Sequence, residues 1–222
     1  MPTWDTLYKT LLHDHGDGLW KEPHEHLVDF FGGLAEPAKK WCILDLGCGT
    51  GRHLVFLETL GCQTHGMDIS PTGIQYSRKW LQENGLTARV LMADMTSLPY
   101  TSASFQVIIS TYVIHHNTLT DIRRTIQEMF RLLTPGGRIL VSVPSTRGYR
   151  HDKGEPLEPG TVIPDIGQDC GIPHHYFSLE ELALEFAAFI IQEVKLNEEM
   201  NDDGYLSSHW FLRAEKPTET LI

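Results

Sequence analysis

The chain has 222 residues, enough for one domain with an appendage and too few for two large ones. Its content, 41 % hydrophobic and 21 % charged, is ordinary for a soluble globular fold. Acids outnumber bases by 29 to 18, for a formal charge of −11, which argues against a nucleic-acid backbone or an anionic membrane as the main partner but not against a local basic pocket.

No stretch reaches the apolar run that a membrane span needs, and the first ten residues lack the basic-then-apolar pattern of a secretory signal. Cys42, Cys48, Cys62 and Cys170 show no Cys-x-x-Cys spacing and no disulfide-scaffold density. The expectation is a cytoplasmic protein with free thiols.

In chain order, residues 3 to 34 read as two helical pieces split by His15-Gly-Asp-Gly18, with Leu7, Leu11 and Leu12, then Leu27, Phe30, Phe31 and Leu34, at helical spacing. From Trp41 the pattern alternates. Apolar runs at 41–46, 62–67, 89–92, 105–113 and 138–143 predict strands, and helical stretches fall at 54–60, 70–81 and 119–133. Such alternation predicts an α/β fold, a parallel sheet with helices on both faces, whose ligands bind along the edge where the strands end. Residues 144–173 read as an irregular loop. Ser178 opens a further helix, and 189–196 with 205–214 predict a closing antiparallel hairpin. The first 40 residues form an N-terminal extension.

The most informative stretch is Asp45-Leu-Gly-Cys-Gly-Thr-Gly-Arg52. Glycines at alternate positions let the chain turn sharply after a strand and approach a ligand closely, and the helix that follows offers free amides. Asp68 ends the second strand, where a carboxylate can accept both hydroxyls of a ribose. Asp94 ends the third, with Met95 beside it, where an adenine edge can be met.

Taken with Leu132-Leu-Thr-Pro-Gly-Gly137, these motifs resemble the class I S-adenosylmethionine-dependent methyltransferases over about residues 41 to 143. The resemblance implies a Rossmann-like, seven-stranded, mostly parallel sheet with a C-terminal antiparallel hairpin over 41–222, and S-adenosyl-L-methionine as cofactor with S-adenosyl-L-homocysteine as product. It implies that Gly47, Cys48, Gly49 and Gly51 pass beneath the methionine part and that Asp45 orders that turn or meets the amino group. Asp68 would bind the ribose and Ile69 the adenine, with Asp94 and Met95 at its edge and face. Ser110 and Thr111 would offer backbone to the methionine amino group, and Arg52 would meet its carboxylate. The Gly171-Ile-Pro-His-His-Tyr-Phe177 segment is similar to small-molecule members, including the branch of tellurite-resistance methyltransferases. A nicotinamide dehydrogenase shares the turn, but its Gly-x-Gly-x-x-Gly spacing is not the one here, and Asp45 suits a cationic amine better than a pyrophosphate. A cofactor binder without catalysis would share the same motifs.

Methyl transfer from a sulfonium needs the acceptor held in line in a dry pocket, and sometimes a base. His115, His175 and Tyr176 are the catalytic candidates, against the plainer alternative that they order their loops. Tyr8 and Trp20 of the extension (1–40), His116 after the fourth strand, and Tyr149, Arg150 and His174, the last three within the substrate-side loop (144–177), are candidates for the lid and the acceptor wall. No metal is expected. The 12 histidines include His13-x-His15, His24-x-His26 and two His-His pairs, but adjacent residues on a strand point opposite ways and no spacing matches a structural zinc site. A small-molecule methyl acceptor is the expected partner.

Overall fold

The structure is a computed structural model that describes residues 3–15, 21–33, 40–165, 167, 169–201 and 204–218. The first helix, α1 (Trp4–His15), and α2 (Glu25–Gly32) precede an alternating core: β1 (Cys42–Leu46), α3 (Arg52–Thr59), β2 (Gln63–Asp68), α4 (Pro71–Glu83), β3 (Arg89–Met92), β4 (Phe105–Thr111), α5 (Leu119–Leu132) and β5 (Leu133–Pro144). Beyond it come β6 (Glu155–Glu158), β7 (Thr161–Ile163), β8 (His174–His175), α6 (Leu179–Glu185), β9 (Ile190–Met200) and β10 (Leu206–Glu215). Seven strands form one sheet in the order β3-β2-β1-β4-β5-β10-β9. The first five run parallel, while β10 pairs antiparallel with both β5 and β9, as the expected closing hairpin requires.

The local causes are legible. Ser70 caps α4 by accepting the Gly73 N–H, and Pro71 starts the helix with a preset φ. Helix α5 turns Ile122, Ile126, Met129 and Leu132 inward at helical spacing against Leu44, Ile108, Ile139 and Val141 of the sheet. On the opposite face, Leu27 and Phe31 of α2 pack on Ile43, Val107 and Ile109, so the extension completes the core there. No helix among the described residues is long and apolar enough to cross a membrane.

Two expectations are corrected. The Thr134–Gly137 stretch, which falls between the predicted helix 119–133 and the predicted strand 138–143, is the start of β5, with a register shift opposite Phe105 and Val107. The 144–173 segment is not irregular throughout. A 3₁₀ turn (Tyr149–Asp152) leads into β6 and β7, which join β8 in a small antiparallel sheet. The signal was the Pro159-Gly160 pair between two short runs. Gly160, at φ +77°, supplies the left-handed corner that a tight turn after proline needs. Trp20, Leu34 and the His15-Gly-Asp-Gly18 split lie outside the described residues, apart from the backbone of His15.

Candidate active site

Parallel strands in register bring their ends together: Asp45 stands beside Gly66 on one side and Ile109 on the other. The loops after β1, β2 and β4 therefore converge on one edge, where a cleft opens. A cavity of about 440 Å³ and a smaller one of about 120 Å³ share Trp4, Tyr8, Gly47, Tyr112, Val113 and His116 as walls. Gly47, Cys48, Gly49, Arg52 and Thr111 line the larger part, and Asp68, Ile69, Asp94 and Met95 line the smaller.

Gly47 and Gly49 both hold positive φ, at +79° and +51°. A Cβ on Gly47 would run into Val113, and one on Gly49 into the Tyr8 hydroxyl, so the bare backbone lets α1 close over the turn. Gly51 has a different duty. It is the left-handed N-cap of α3, and its missing Cβ makes room for Ser77 of α4 rather than for the cleft.

Asp68 is oriented from both sides. Its Oδ2 accepts the Gly49 N–H at 2.9 Å and its Oδ1 the Ser70 N–H at 2.8 Å, leaving each oxygen a further lone pair. Burial raises its pKa, against those two hydrogen bonds. Asp94 spends Oδ1 on the Thr96 N–H and hydroxyl, both at 2.8 Å. Asp45 is buried beneath the turn, 3.7 Å from His53 Nδ1, and its Oδ2 has no hydrogen-bond partner among the described residues. Arg52 projects into the larger cavity with no carboxylate within ion-pair distance among the described residues; burial lowers its basicity and Asp45 partly restores it. Burial, then Asp45 and Asp68, push the Cys48 thiol well up, so it is no nucleophile.

These groups fit S-adenosylmethionine: a turn of bare backbone, a carboxylate with spare lone pairs for a diol, and, among the described residues, a buried acceptor without a donor and a guanidinium with no carboxylate at ion-pair distance. Ser110 does not join them. It is fully buried, off the cleft wall, with its hydroxyl unpartnered among the described residues.

The acceptor-side candidates separate. Tyr112 has φ +58°, an uncommon conformation for a residue with a side chain, held by its N–H to Ser142 Oγ (2.8 Å) and its hydroxyl to His24 Nε2 (3.0 Å). The kink carries His116 onto the wall of both cavities, while His115 stands behind it, 3 % exposed. Burial and the neighbouring imidazoles hold both well below the ordinary histidine pKa. His174 is buried against them, and Asp169, which bonds its Nε2 at 2.7 Å, reaches the cavity together with Arg150.

Placement runs against the other candidates. His175 is fully buried, with Nδ1 2.7 Å from Thr161 Oγ1 and Nε2 3.4 Å from Glu181, and Tyr176 is buried without reaching the cleft; both hold the small sheet. Tyr149 stacks on Tyr205, 4.1 Å away, and not over the cavity. Among the wall residues that the sequence did not single out are Tyr112, Asp169, His53 and Asn117. None carries a motif, although His53 directly follows the Asp45–Arg52 stretch and Asn117 the His-His pair.

Residues 43–137 match the model of a methyltransferase domain family. The 27-O-demethylrifamycin SV methyltransferase of Amycolatopsis mediterranei is 30 % identical over 198 residues, covering 82 % of this chain and 69 % of that protein. The demethylmenaquinone methyltransferase of Thermus thermophilus is 32 % identical over 101 residues, 45 % of each chain. A probable tRNA methyltransferase 9B of Mus musculus is 33 % identical over 123 residues, 53 % of this chain and 25 % of that one. The chain thus spans less than half the length of these last two relatives. In fold, it is similar to an S-adenosylmethionine-dependent methyltransferase from Methanosarcina mazei, with a TM-score of 0.74, 21 % identity, and coverage of 89 % of this chain and 100 % of that one. TehB of Haemophilus influenzae is similar in fold at TM-score 0.68 and 17 % identity, over 95 % of this chain and 67 % of that one. The chain belongs to the class I S-adenosylmethionine-dependent methyltransferases, a family whose cofactor is S-adenosylmethionine. The exclusion of nucleic acid made from net charge does not carry over to the family, since a probable tRNA methyltransferase stands among the relatives.

Proposed function

We propose that this enzyme methylates a small molecule at N, O or S by in-line displacement, releasing S-adenosylhomocysteine. When bound, S-adenosylmethionine supplies a methyl carbon on a cationic sulfur, and displacement breaks that carbon–sulfur bond with its electrons returning to sulfur. Asp68 holds the ribose hydroxyls, the Gly47–Gly49 backbone bears the methionine part, and Arg52 meets its carboxylate. Trp4 and Tyr8 exclude water from the cleft, which favours a displacement that disperses charge. His116 and the Arg150–Asp169 pair face the acceptor.

The observation that carries the reading is the Asp68 carboxylate, fixed by two backbone N–H groups at the edge of the cleft. A cavity of about 440 Å³ under a helix suits a small acceptor, and the 27-O-demethylrifamycin SV methyltransferase, of which the chain covers 69 %, acts on a small molecule by its name. The test is S-adenosylhomocysteine release with a panel of thiols, phenols, amines and carboxylic acids, and with bulk tRNA as a separate arm. Release with a member of the small-molecule panel supports the proposal. Release with tRNA alone, or tight cofactor binding with silence across the whole panel, overturns it.

A further inference from the structure

His115, His116 and His174 come from two separate segments, the turn after β4 and the strand β8. Their rings lie 3.9 Å (His115–His116), 4.4 Å (His116–His174) and 5.6 Å (His115–His174) apart between centroids. One ring nitrogen of each falls within 4.8 Å of the others. The segments are tied together where the His175 N–H donates to the His115 carbonyl at 2.8 Å.

The polar atoms here are not satisfied by protein alone. Nδ1 of His115 and Nδ1 of His116 are buried with no hydrogen-bond partner among the described residues. His174 Nδ1 lies 2.8 Å from the Ile172 carbonyl, which can only accept, so that nitrogen carries the proton. In the neutral ring Nε2 then bears a lone pair, and it faces Asp169 Oδ2, another acceptor, at 2.7 Å. Two acceptors at this distance are joined by a second ring proton or by a metal ion. The remaining Asp169 oxygen accepts from Arg150 at 2.7 Å, which fixes the carboxylate. A ring N–H on a backbone carbonyl and an anchored carboxylate are the outer partners that orient imidazoles for a metal.

We propose that His115, His116 and His174, with Asp169 as the outer carboxylate partner of His174, bind one divalent ion of the zinc class on the acceptor wall of the cleft. Three imidazole nitrogens suit zinc and the neighbouring late transition ions better than magnesium or calcium, which prefer oxygen. The spacing argument in the sequence missed this set because His115 and His116 sit on a turn, not a strand, and the third ligand arrives from 58 positions further on in the small sheet. His116 and Asp169 both reach the cavity, so an acceptor with a thiolate, phenolate or carboxylate would complete the ion's coordination. That last role rests on the proposed function; the binding of the ion does not.

The test uses the full chain, stripped with a chelator and titrated with Zn²⁺ against a chromophoric competitor and with Co²⁺ by visible spectroscopy. One ion per chain is expected, with the intense bands of a low-coordinate Co²⁺ site. His116→Gln and His174→Gln should each weaken binding on the order of 100-fold, while Cys170→Ser and His13→Gln should not. X-ray absorption on the zinc-loaded wild type covers the case in which the variants fail to fold: imidazole scattering with oxygen and no sulfur is expected. No stoichiometric binding, unchanged binding in both glutamine variants, or a sulfur-containing shell overturns the site. None of these readouts involves methyl transfer, so failure here is separable from failure of the acceptor assignment.

Discussion

The Asp5 carboxylate of α1 accepts the Thr72 N–H at 2.9 Å and the Ser70 hydroxyl at 3.1 Å, so the first helix is pinned to the N-terminus of α4 beside Asp68. Lys9, 2.7 Å away, and these hydrogen bonds hold the Asp5 pKa well below the usual carboxylate range. A carboxylate at a helix N-terminus is favoured by the helix dipole and by the free amides there. The same anchor places Trp4 and Tyr8 over the cleft.

Asp5→Ala is therefore expected to free α1 while the sheet stays folded. Hydrogen exchange should accelerate across 4–15 but not across β1 or β4, and S-adenosylhomocysteine should dissociate faster. Because the Asp5 pKa is depressed, the anchor is fully present above the ordinary aspartate pKa and weakens only as pH falls towards its own lowered value. Loss of protection throughout the core would mean that α1 is part of the fold and no lid.

Asp68→Ala should lower cofactor affinity by about tenfold or more, since it removes acceptors for two hydroxyls and hydrogen bonds to a charged group are worth roughly 1.5–3 kcal/mol each. It also releases the Gly49 and Ser70 amides, so Asp68→Asn, which keeps one acceptor oxygen, is the companion variant and should lose less. Calorimetry with S-adenosylhomocysteine measures both. Equal affinity in Asp68→Ala and wild type would remove the ribose assignment.

The sheet and the cofactor half of the site were readable from the chain because their signals are local. A strand, a glycine turn and a helix follow one another in eight residues, and Asp68 terminates β2 while Asp94 follows β3 by two residues, at places that the parallel topology brings to one edge. The acceptor half was not readable. His116, and not His115, faces the cleft because Tyr112 turns with positive φ, although no glycine announces it. His175 and Tyr176 were sound candidates by position, but pairing of β8 with β7 buries them. Asp169 belongs to the site through partners at 150 and 174, a relation that only the folded small sheet creates.

Gly51→Ala separates packing from binding within the glycine turn. At φ +94° any side chain pays a left-handed penalty of about 1–2 kcal/mol, and its Cβ would lie 2.5 Å from Ser77 Oγ and 3.0 Å from Ser77 Cβ. With each kcal/mol worth about 2–4 °C in a chain of this size, the melting temperature should fall by roughly 5 °C or more. Cofactor affinity of the folded protein should hardly change, since Gly51 does not line the cleft. The opposite pattern, a stable variant that binds weakly, would return Gly51 to the cofactor.

His24 and His209 flank Tyr112, one hydrogen-bonded to its hydroxyl and the other edge-on to its ring at 4.8 Å. Burial pushes both down to about 4, helped at His24 by Arg52, His26, His53 and His209, and at His209 by His174. Both are neutral in the fold at pH 6, where the unfolded chain, titrating near 6.5, already binds protons. Their contribution to stability is thus complete above pH 6.5 and is lost as pH falls towards 4. The melting temperature should drop between these values, and the His24→Gln, His209→Gln double variant should flatten that slope. An unflattened slope would place the acid sensitivity outside the Tyr112 wall, and would leave its left-handed turn without the two neutral imidazoles as its supports.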